Sequence, residues 1–350
     1  MPLDPFFAER LRVHRRYLIG QRIAPLRSRV TRWWRRLRGE TDAAAPAPRR
    51  GRALTPRERH RRAALAWDRT ELKTVGTPGP ELRTSEHTVE VPGYPSVRVR
   101  IYHPPTAETP PVWLSFFGGA FRIGGIDYPT TDAANRRRAA EAGVAIAAVD
   151  YALAPEHRFP TQIEQARAAL AWIHAHAAEI GVDADRIGVA GISAGGSLAA
   201  ALTIANRDRS GIPIRLQLLE VPVTDLTGRH LDLRATWALG IPSVIALREL
   251  RSVARTYLAS PADARDPLAS PLRAASHAGL PEAVILTAEY DPLRGDGAAY
   301  AAKLRAAGVE ASAVRYLGVT HDTWMFTGAL PAARRWHAEV VSTLARLHER

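Results

Sequence analysis

Two hydrophobic patterns organise the chain from about residue 86 onward. HTVEV (87–91) and SVRVRIYH (96–103) alternate apolar and polar positions, which predicts antiparallel strands joined by the Pro-Gly turn at 92–93. Short, nearly continuous apolar runs follow: VWLSFF (112–117), VAIAAVD (144–150), RIGVAG (186–191), IRLQLLE (214–220), AVILTAE (283–289) and ASAVRY (311–316). Amphipathic helical spacing fills most of the gaps, over 132–142, 161–180, 194–207 and 296–307, with a last helix predicted over 331–348. Strands that are apolar throughout and alternate with helices predict an α/β fold: a mostly parallel central sheet covered by helices on both faces.

One stretch breaks the alternation. Residues 225–275 separate two strands by far more than the usual ~2–6 residue connection. Trp237, Ile241, Val244, Ile245, Leu247, Leu250, Val253, Tyr257 and Leu258 give it a helical, amphipathic content. Set above a parallel sheet, such an insertion is a lid.

Ahead of the strands lies a different kind of chain. Asp4-Pro5-Phe6-Phe7 through Ile23 carries a helical pattern broken near Pro25. Leu26, Val30, Trp33, Trp34 and Leu37 then recur at helical spacing, with arginines on the other face. Residues 39–56 (GETDAAAPAPRRGRALTP) read as a linker. The net charge of +13 at first suggests an acidic partner, but its distribution changes that reading. Residues 1–62 hold 18 arginines against Asp4, Glu9, Glu40, Asp42 and Glu58, whereas the other 288 residues balance 30 basic against 30 acidic side chains. The body, 63–350, is neutral and the arm, 1–62, carries the excess. Tryptophan below and arginine above fit peripheral contact of residues 1–38 with an anionic membrane; the plainer reading packs that stripe on the same chain with its arginines solvated. No ordered recognition module accompanies the arginines, so no nucleic-acid partner is expected.

Composition narrows the class further. With 46% hydrophobic and 24% charged residues over 350 positions, the chain suits one large α/β domain with insertions, not a disordered, collagenous or coiled-coil protein. The absence of cysteine excludes a disulfide framework, a thiolate zinc site and a cysteine nucleophile. No run approaches the ~18 apolar residues of a membrane span. Arg15 and Arg16, followed only by YLIG before the next charge, argue against a secretory signal. A cytoplasmic protein, membrane-peripheral where the arm makes contact, is expected.

The strongest local signal is Gly191-Ile192-Ser193-Ala194-Gly195, which reads G-x-S-x-G between the predicted strand RIGVA and the helix SLAAALTIA. A sharp strand-to-helix turn there lifts the Ser193 hydroxyl to the carboxyl edge of the sheet. Small residues are needed because the backbone doubles back tightly. A serine hydroxyl needs a base to take its proton, and the base needs a third group to hold its tautomer. Asp291 follows the strand AVILTAE and His321 follows ASAVRY, both in loops at that same edge. Asp296, expected as an ordinary helix cap, and Asp225 compete for the acid; Asp291 is preferred. Negative charge formed on attack needs aligned N–H donors. Ala194 supplies one, and the paired glycines of Phe116-Phe117-Gly118-Gly119-Ala120-Phe121 allow close backbone approach for another.

Four motifs follow one another in order: FGGAF (117–121), DYALAPEHRFP (150–160), GISAGG (191–196), and DPLRGDG (291–297) ahead of AAKLRAAGVE. Through them the span from about 87 to 348 resembles the hormone-sensitive-lipase-like branch of the α/β-hydrolases, which contains bacterial carboxylesterases. The resemblance implies an α/β-hydrolase fold with a helical cap built from the N-terminal helices and the insertion at about 225–275. It implies the triad Ser193, Asp291 and His321, with Gly118, Gly119 and Ala194 as oxyanion donors. Three residues depart from the family pattern: Phe117 stands where histidine usually pins the loop, Ala120 replaces a third glycine, and Ile192 replaces an acid before the nucleophile.

The expected activity is hydrolysis of small carboxylic esters through an acyl-serine, with no metal or cofactor required. Phe117, Phe121, Trp237 and Trp324, with Phe116 and Phe326, are candidates to line an apolar pocket for short or medium acyl or aryl groups, or are simply core. Amide, lactone or acyl-transfer chemistry would use the same triad. A non-catalytic ligand-binding protein on this fold would lack the base, and the presence of His321 argues against it.

Overall fold

The computed structural model describes residues 2–13, 54–105 and 109–349. The chain divides into two compact units, Met1–His60 and Arg61–Arg350. In the first, residues 5–13 are helical, and Asp4 caps that helix by accepting the Phe6 amide at 2.9 Å. The predicted helix through Ile23 is described only that far. The Trp33/Trp34 helix and nearly all of the 39–56 linker lie outside the described residues.

Helix α1 (Pro56–Thr74) has no counterpart among the predicted elements. Its start is nonetheless written in the sequence as Thr55-Pro56-Arg57-Glu58. The Thr55 amide donates to the Glu58 carboxylate at 2.7 Å, and the Glu58 amide donates to Thr55 Oγ1 at 3.2 Å, a reciprocal capping box with proline at the first helical position. Only Asp68 and Glu71 of this helix are buried, so apolar periodicity gives little sign of it.

All eight predicted strands form, in one sheet: β1 (Thr84–Val91), β2 (Tyr94–Tyr102), β3 (Pro111–Phe116), β4 (Ala145–Asp150), β5 (Asp183–Ile192), β6 (Ile214–Glu220), β7 (Glu282–Ala288) and β8 (Ala311–Tyr316). Their order is β1-β2-β4-β3-β5-β6-β7-β8; β1 and β2 are antiparallel, and the strands from β4 to β8 run parallel. Helices α2 (Pro129–Ala142), α3 (Thr161–Ala175), α4 (Ala194–Arg209), α6 (Arg294–Ala306) and α7 (Pro331–Ala345) alternate with them, as expected for right-handed crossovers. The predicted 161–180 helix ends early, because His176 turns back and its imidazole Nδ1 contacts the Trp172 carbonyl at 2.9 Å. Strand β8 is mostly exposed, since it closes the edge of the sheet and is covered less than the others. The 225–275 insertion holds one long helix, α5 (Ser243–Tyr257), a short one (Arg234–Ala238) and 3-10 turns at Pro261–Arg265 and Pro271–Arg273.

Register aligns the strand ends that matter. Phe116 lies opposite Gly191, Ile192 opposite Glu220, and Glu220 opposite Leu286. The loops carrying Gly118, Ser193, Asp291 and His321 therefore all leave one edge of the sheet.

Candidate active site

Strand β5 ends at Ile192 and helix α4 begins at Ala194, so Ser193 alone makes the turn between them. Its φ of 55° and ψ of −115° are unfavourable for a residue with a side chain, a strain of about 1–3 kcal/mol. Neighbours hold it there: the Ser193 N–H donates to the Glu220 carbonyl at 2.8 Å, and the Ser197 N–H to the Ser193 carbonyl at 3.1 Å. A Cβ on Gly191 would stand 2.1 Å from the Gly195 carbonyl oxygen, and one on Gly195 would stand 2.1 Å from that of Phe116. The glycine spacing of the motif is thus a consequence of backbone crowding.

His321 Nδ1 meets Asp291 Oδ2 at 2.7 Å. Asp291 is buried, and its other oxygen accepts the Leu293 amide at 3.0 Å, which fixes the carboxylate's orientation. Burial of the imidazole pulls its pKa down, but the charge and hydrogen bond of Asp291 outweigh this and lift it to about 9. Ser193 and His321 line the same two cavities. No hydrogen bond joins their side chains here; such contacts are commonly long until substrate packs the site. The two competing acids are engaged elsewhere. Asp296 does not cap its helix as expected: it is fully buried, and its Oδ2 accepts the amides of Thr224 at 2.8 Å and Asp225 at 2.9 Å, clamping the loop after β6. Burial pushes its pKa up to about 7. Asp225 accepts from the Thr227 amide at 2.9 Å and hydroxyl at 2.7 Å and pairs with Arg273 at 3.3 Å.

The loop after β3 brings Gly118 against the Ser193 turn, where an added Cβ would lie 3.2 Å from the Ile192 carbonyl and 3.5 Å from Ser193 Cβ. The amide N–H groups of Gly118, Gly119 and Ala194 engage no acceptor among the described residues. Gly119 has φ 130°, and the next two residues remain in the left-handed region without being glycine: Ala120 at φ 53° and Phe121 at φ 59°. The strain is about 1–2 kcal/mol at each of those two, so other contacts must hold the loop. Phe117 stacks flat on Tyr151 with ring centres 4.1 Å apart, and the Tyr151 hydroxyl donates to the Phe117 carbonyl at 2.8 Å. Phe121 stacks on Tyr257 of α5 at 3.7 Å, while the Ala154 amide donates to the Phe121 carbonyl at 2.8 Å. The 150–160 motif, conspicuous in the sequence but without an assigned role there, is thus the strap holding this loop. It also reaches the 225–275 insertion: the Phe159 amide donates to the Tyr257 carbonyl at 2.9 Å, and Arg158 to that of Leu258 at 3.0 Å.

Two cavities meet at Ser193 and His321. The smaller, about 130 Å³, lies between the Gly118-Gly119 loop and Trp67, Tyr128 and Trp324. The larger, about 260 Å³, is walled by Ala120, Val223, Leu231 and the Ala246, Leu250 and Val253 face of α5. Of the four aromatics proposed for the pocket, only Trp324 lines either of these two cavities. Phe117 and Phe121 are spent in their stacks, and Trp237 points to solvent. Phe116 and Phe326 are buried in the core. Trp67, on the unpredicted helix α1, was out of reach of sequence reasoning. A clip joins the loop to α5: Arg122 pairs with Glu249 and donates to the Ser252 hydroxyl at 3.3 Å, while the Arg61 guanidinium donates to the Arg122 carbonyl at 3.0 Å.

A family model described as the alpha/beta hydrolase fold matches residues 113–325. The chain is 38% identical to Esterase LipI of Mycobacterium tuberculosis over 73% of its own length and 79% of that protein's. It is 36% identical to Carboxylesterase NlhH of the same organism, over 79% and 88%. Among solved structures, EstE1, a thermostable carboxylesterase cloned from a metagenomic library, superposes with a TM-score of 0.76 at 35% identity, covering 84% of this chain and 98% of the other. A hyperthermophilic esterase from Pyrobaculum calidifontis superposes with a TM-score of 0.79 at 30% identity, covering 99% of each. With an eight-stranded, mostly parallel sheet and a serine at its strand-to-helix turn, the chain belongs to the α/β-hydrolase family, in its hormone-sensitive-lipase-like branch.

Proposed function

We propose that the protein is a carboxylesterase that cleaves small carboxylic esters through an acyl-serine intermediate. The observation that carries the proposal is the 2.7 Å contact of His321 Nδ1 with Asp291, made on the wall of the cavities that Ser193 also lines. It leaves Nε2 as the nitrogen available to the serine side. His321 takes the Ser193 proton as Oγ adds to the ester carbonyl, and the Gly118, Gly119 and Ala194 amides receive the charge on its oxygen. Collapse of the adduct expels the alcohol, which takes its proton from His321. Water, deprotonated by the same imidazole, then releases the acid and restores the Ser193 hydroxyl. Asp291 keeps its charge throughout and stabilises the imidazolium.

Cavities of about 130 and 260 Å³ on either side of the nucleophile support short or medium acyl or aryl esters. Relatives named esterase and carboxylesterase support ester over amide, lactone or acyl transfer. Ser193→Ala should abolish both labelling by a fluorophosphonate and hydrolysis of a nitrophenyl ester; a variant that still does both overturns the assignment. Turnover of a matched ester and amide decides between the two bond types. Among the described residues no helix is long and apolar enough to cross a membrane. A cytoplasmic location, with residues 1–38 touching anionic membrane, completes the proposal; cell fractionation with and without residues 1–50 tests it.

A further inference from the structure

The cap carries an outer surface for which the ester chemistry has no use. Helix α5 turns Ala246, Leu250 and Val253 toward the larger cavity. At 3.6 residues per turn, Val244, Arg248, Arg251 and Arg255 fall within an arc of about 60° on the opposite side, and all four are exposed. At the N-terminal end of the helix, Trp237, Val244 and Ile245 are 66%, 67% and 55% exposed, and the Trp237 indole N–H donates to the Ser243 hydroxyl at the start of α5. Large apolar groups clustered in water mark a surface that meets something else.

Charge identifies the partner. Among the described residues, Arg248, Arg251 and Arg255 form no ion pair. The one acid on the helix, Glu249, is held by Arg122, and the neighbouring Asp232 by Arg234 and Arg294. Arg158, Arg251 and Arg255 also border a groove of about 450 Å³ with Ala254, Leu258 and Pro261 between them. Aromatic and aliphatic side chains at one end of a helix, with uncompensated arginines along the same face, match the boundary between acyl chains and anionic headgroups.

We infer that the outer face of α5 docks the enzyme on an anionic lipid bilayer, with Trp237, Val244 and Ile245 entering the acyl boundary and Arg248, Arg251 and Arg255 meeting the phosphates. Leu231 and Ala246 line the larger cavity beside the apolar end. On the esterase reading, an ester dissolved in the bilayer then reaches Ser193 from the docked side; the docking itself does not depend on that reading.

The test is co-sedimentation of the full chain with vesicles of phosphatidylcholine alone, or with about one third phosphatidylglycerol, at low and at high salt. Binding to the anionic vesicles and its loss in salt are expected. Arg251→Glu/Arg255→Glu and, separately, Val244→Ser/Ile245→Ser should each weaken vesicle affinity at least about tenfold. Both should hydrolyse a soluble short-chain ester at the wild-type rate, which keeps a docking failure apart from a failure of the esterase reading. Wild-type affinity in both double variants, no binding to anionic vesicles at low salt, or equal binding to phosphatidylcholine alone overturns the inference.

Discussion

The ring of Phe117 lies on that of Tyr151 with an interplanar angle of 6°, and the Tyr151 hydroxyl reaches past it to the Phe117 carbonyl. Both residues are buried, so stack and hydrogen bond are shielded from water. The pair ties the residue before Gly118-Gly119 to the 150–160 segment. Tyr151→Phe keeps the stack and leaves the carbonyl without its donor, a loss of about 1–3 kcal/mol in a buried site. The expected result is a kcat several-fold lower with KM little changed, because the loop's amides matter most when the oxyanion forms. Phe117→Ala should cost about 3–5 kcal/mol of stability, read as a lower denaturant midpoint. Unchanged kcat in Tyr151→Phe would mean the loop is held by other contacts.

The Asp291–His321 pair sets opposite pH trends for activity and stability. A base must be neutral to take a proton, and Asp291 lifts the imidazole pKa to about 9. The kcat/KM of the free enzyme should therefore rise with pH toward 9, by about tenfold per unit on the acid side. Because the folded pKa lies above the ordinary value of 6.5, the pair's stabilisation is fully present below 6.5 and is lost as pH climbs through 9. Asp291→Asn removes the charge, so the activity limb should move at least two units toward acid while kcat falls by about four orders of magnitude. A limb that stays in place, measured with a substrate whose leaving group needs no protonation, rules out His321 as the titrating base.

Sequence pattern carried most of the scaffold: β6 buries its apolar run and matches its predicted limits, and β8 matches its own although it lies mostly exposed at the sheet edge. The strand-to-helix turn at Ser193 was equally legible, because crowding admits only glycine at 191 and 195, so a steric demand becomes a spelling. Other features left weaker traces. Helix α1 buries only Asp68 and Glu71, so its evidence was the Thr55–Glu58 box alone. Type and position point to Phe117, Phe121 and Trp237 as pocket aromatics, but an aromatic ring fills a stack, a cavity wall or a surface equally well. Only tertiary partners such as Tyr151 and Tyr257 decide which.

Trp324 and Trp67 narrow the smaller cavity from two sides. Shortening either to alanine opens room beside Ser193 for a longer chain. Each added buried methylene contributes about 0.8 kcal/mol, so kcat/KM should grow about fourfold per extra carbon until the space is filled. Nitrophenyl esters of graded acyl length measure this directly. Trp324→Ala should shift the optimum toward longer acyl groups and lower activity on acetate, where the wall supplied contact. An unchanged profile in both variants places the acyl chain in the larger cavity, against Leu231 and Leu250.

Behind Ser193, Glu220 links the strand-to-helix turn to the core. Its carbonyl accepts the Ser193 N–H, while its fully buried carboxylate takes the Trp336 indole N–H at 2.7 Å and lies 2.8 and 2.9 Å from Arg138. A buried pair of this kind gains little over well-packed apolar groups, but breaking it strands a charge, at a cost of about 3–5 kcal/mol. Glu220→Leu and Arg138→Met should each lower stability by about that much. The double variant Glu220→Leu/Arg138→Met should be less damaged than either single change, and urea denaturation of all four proteins closes the cycle. The same cycle in kcat tests positioning. If the carboxylate fixes the carbonyl that holds Ser193, the double variant recovers stability but not full kcat, because leucine cannot anchor the end of β6 through Trp336. Equal recovery of both quantities would leave Glu220 a packing residue with no part in aiming the serine.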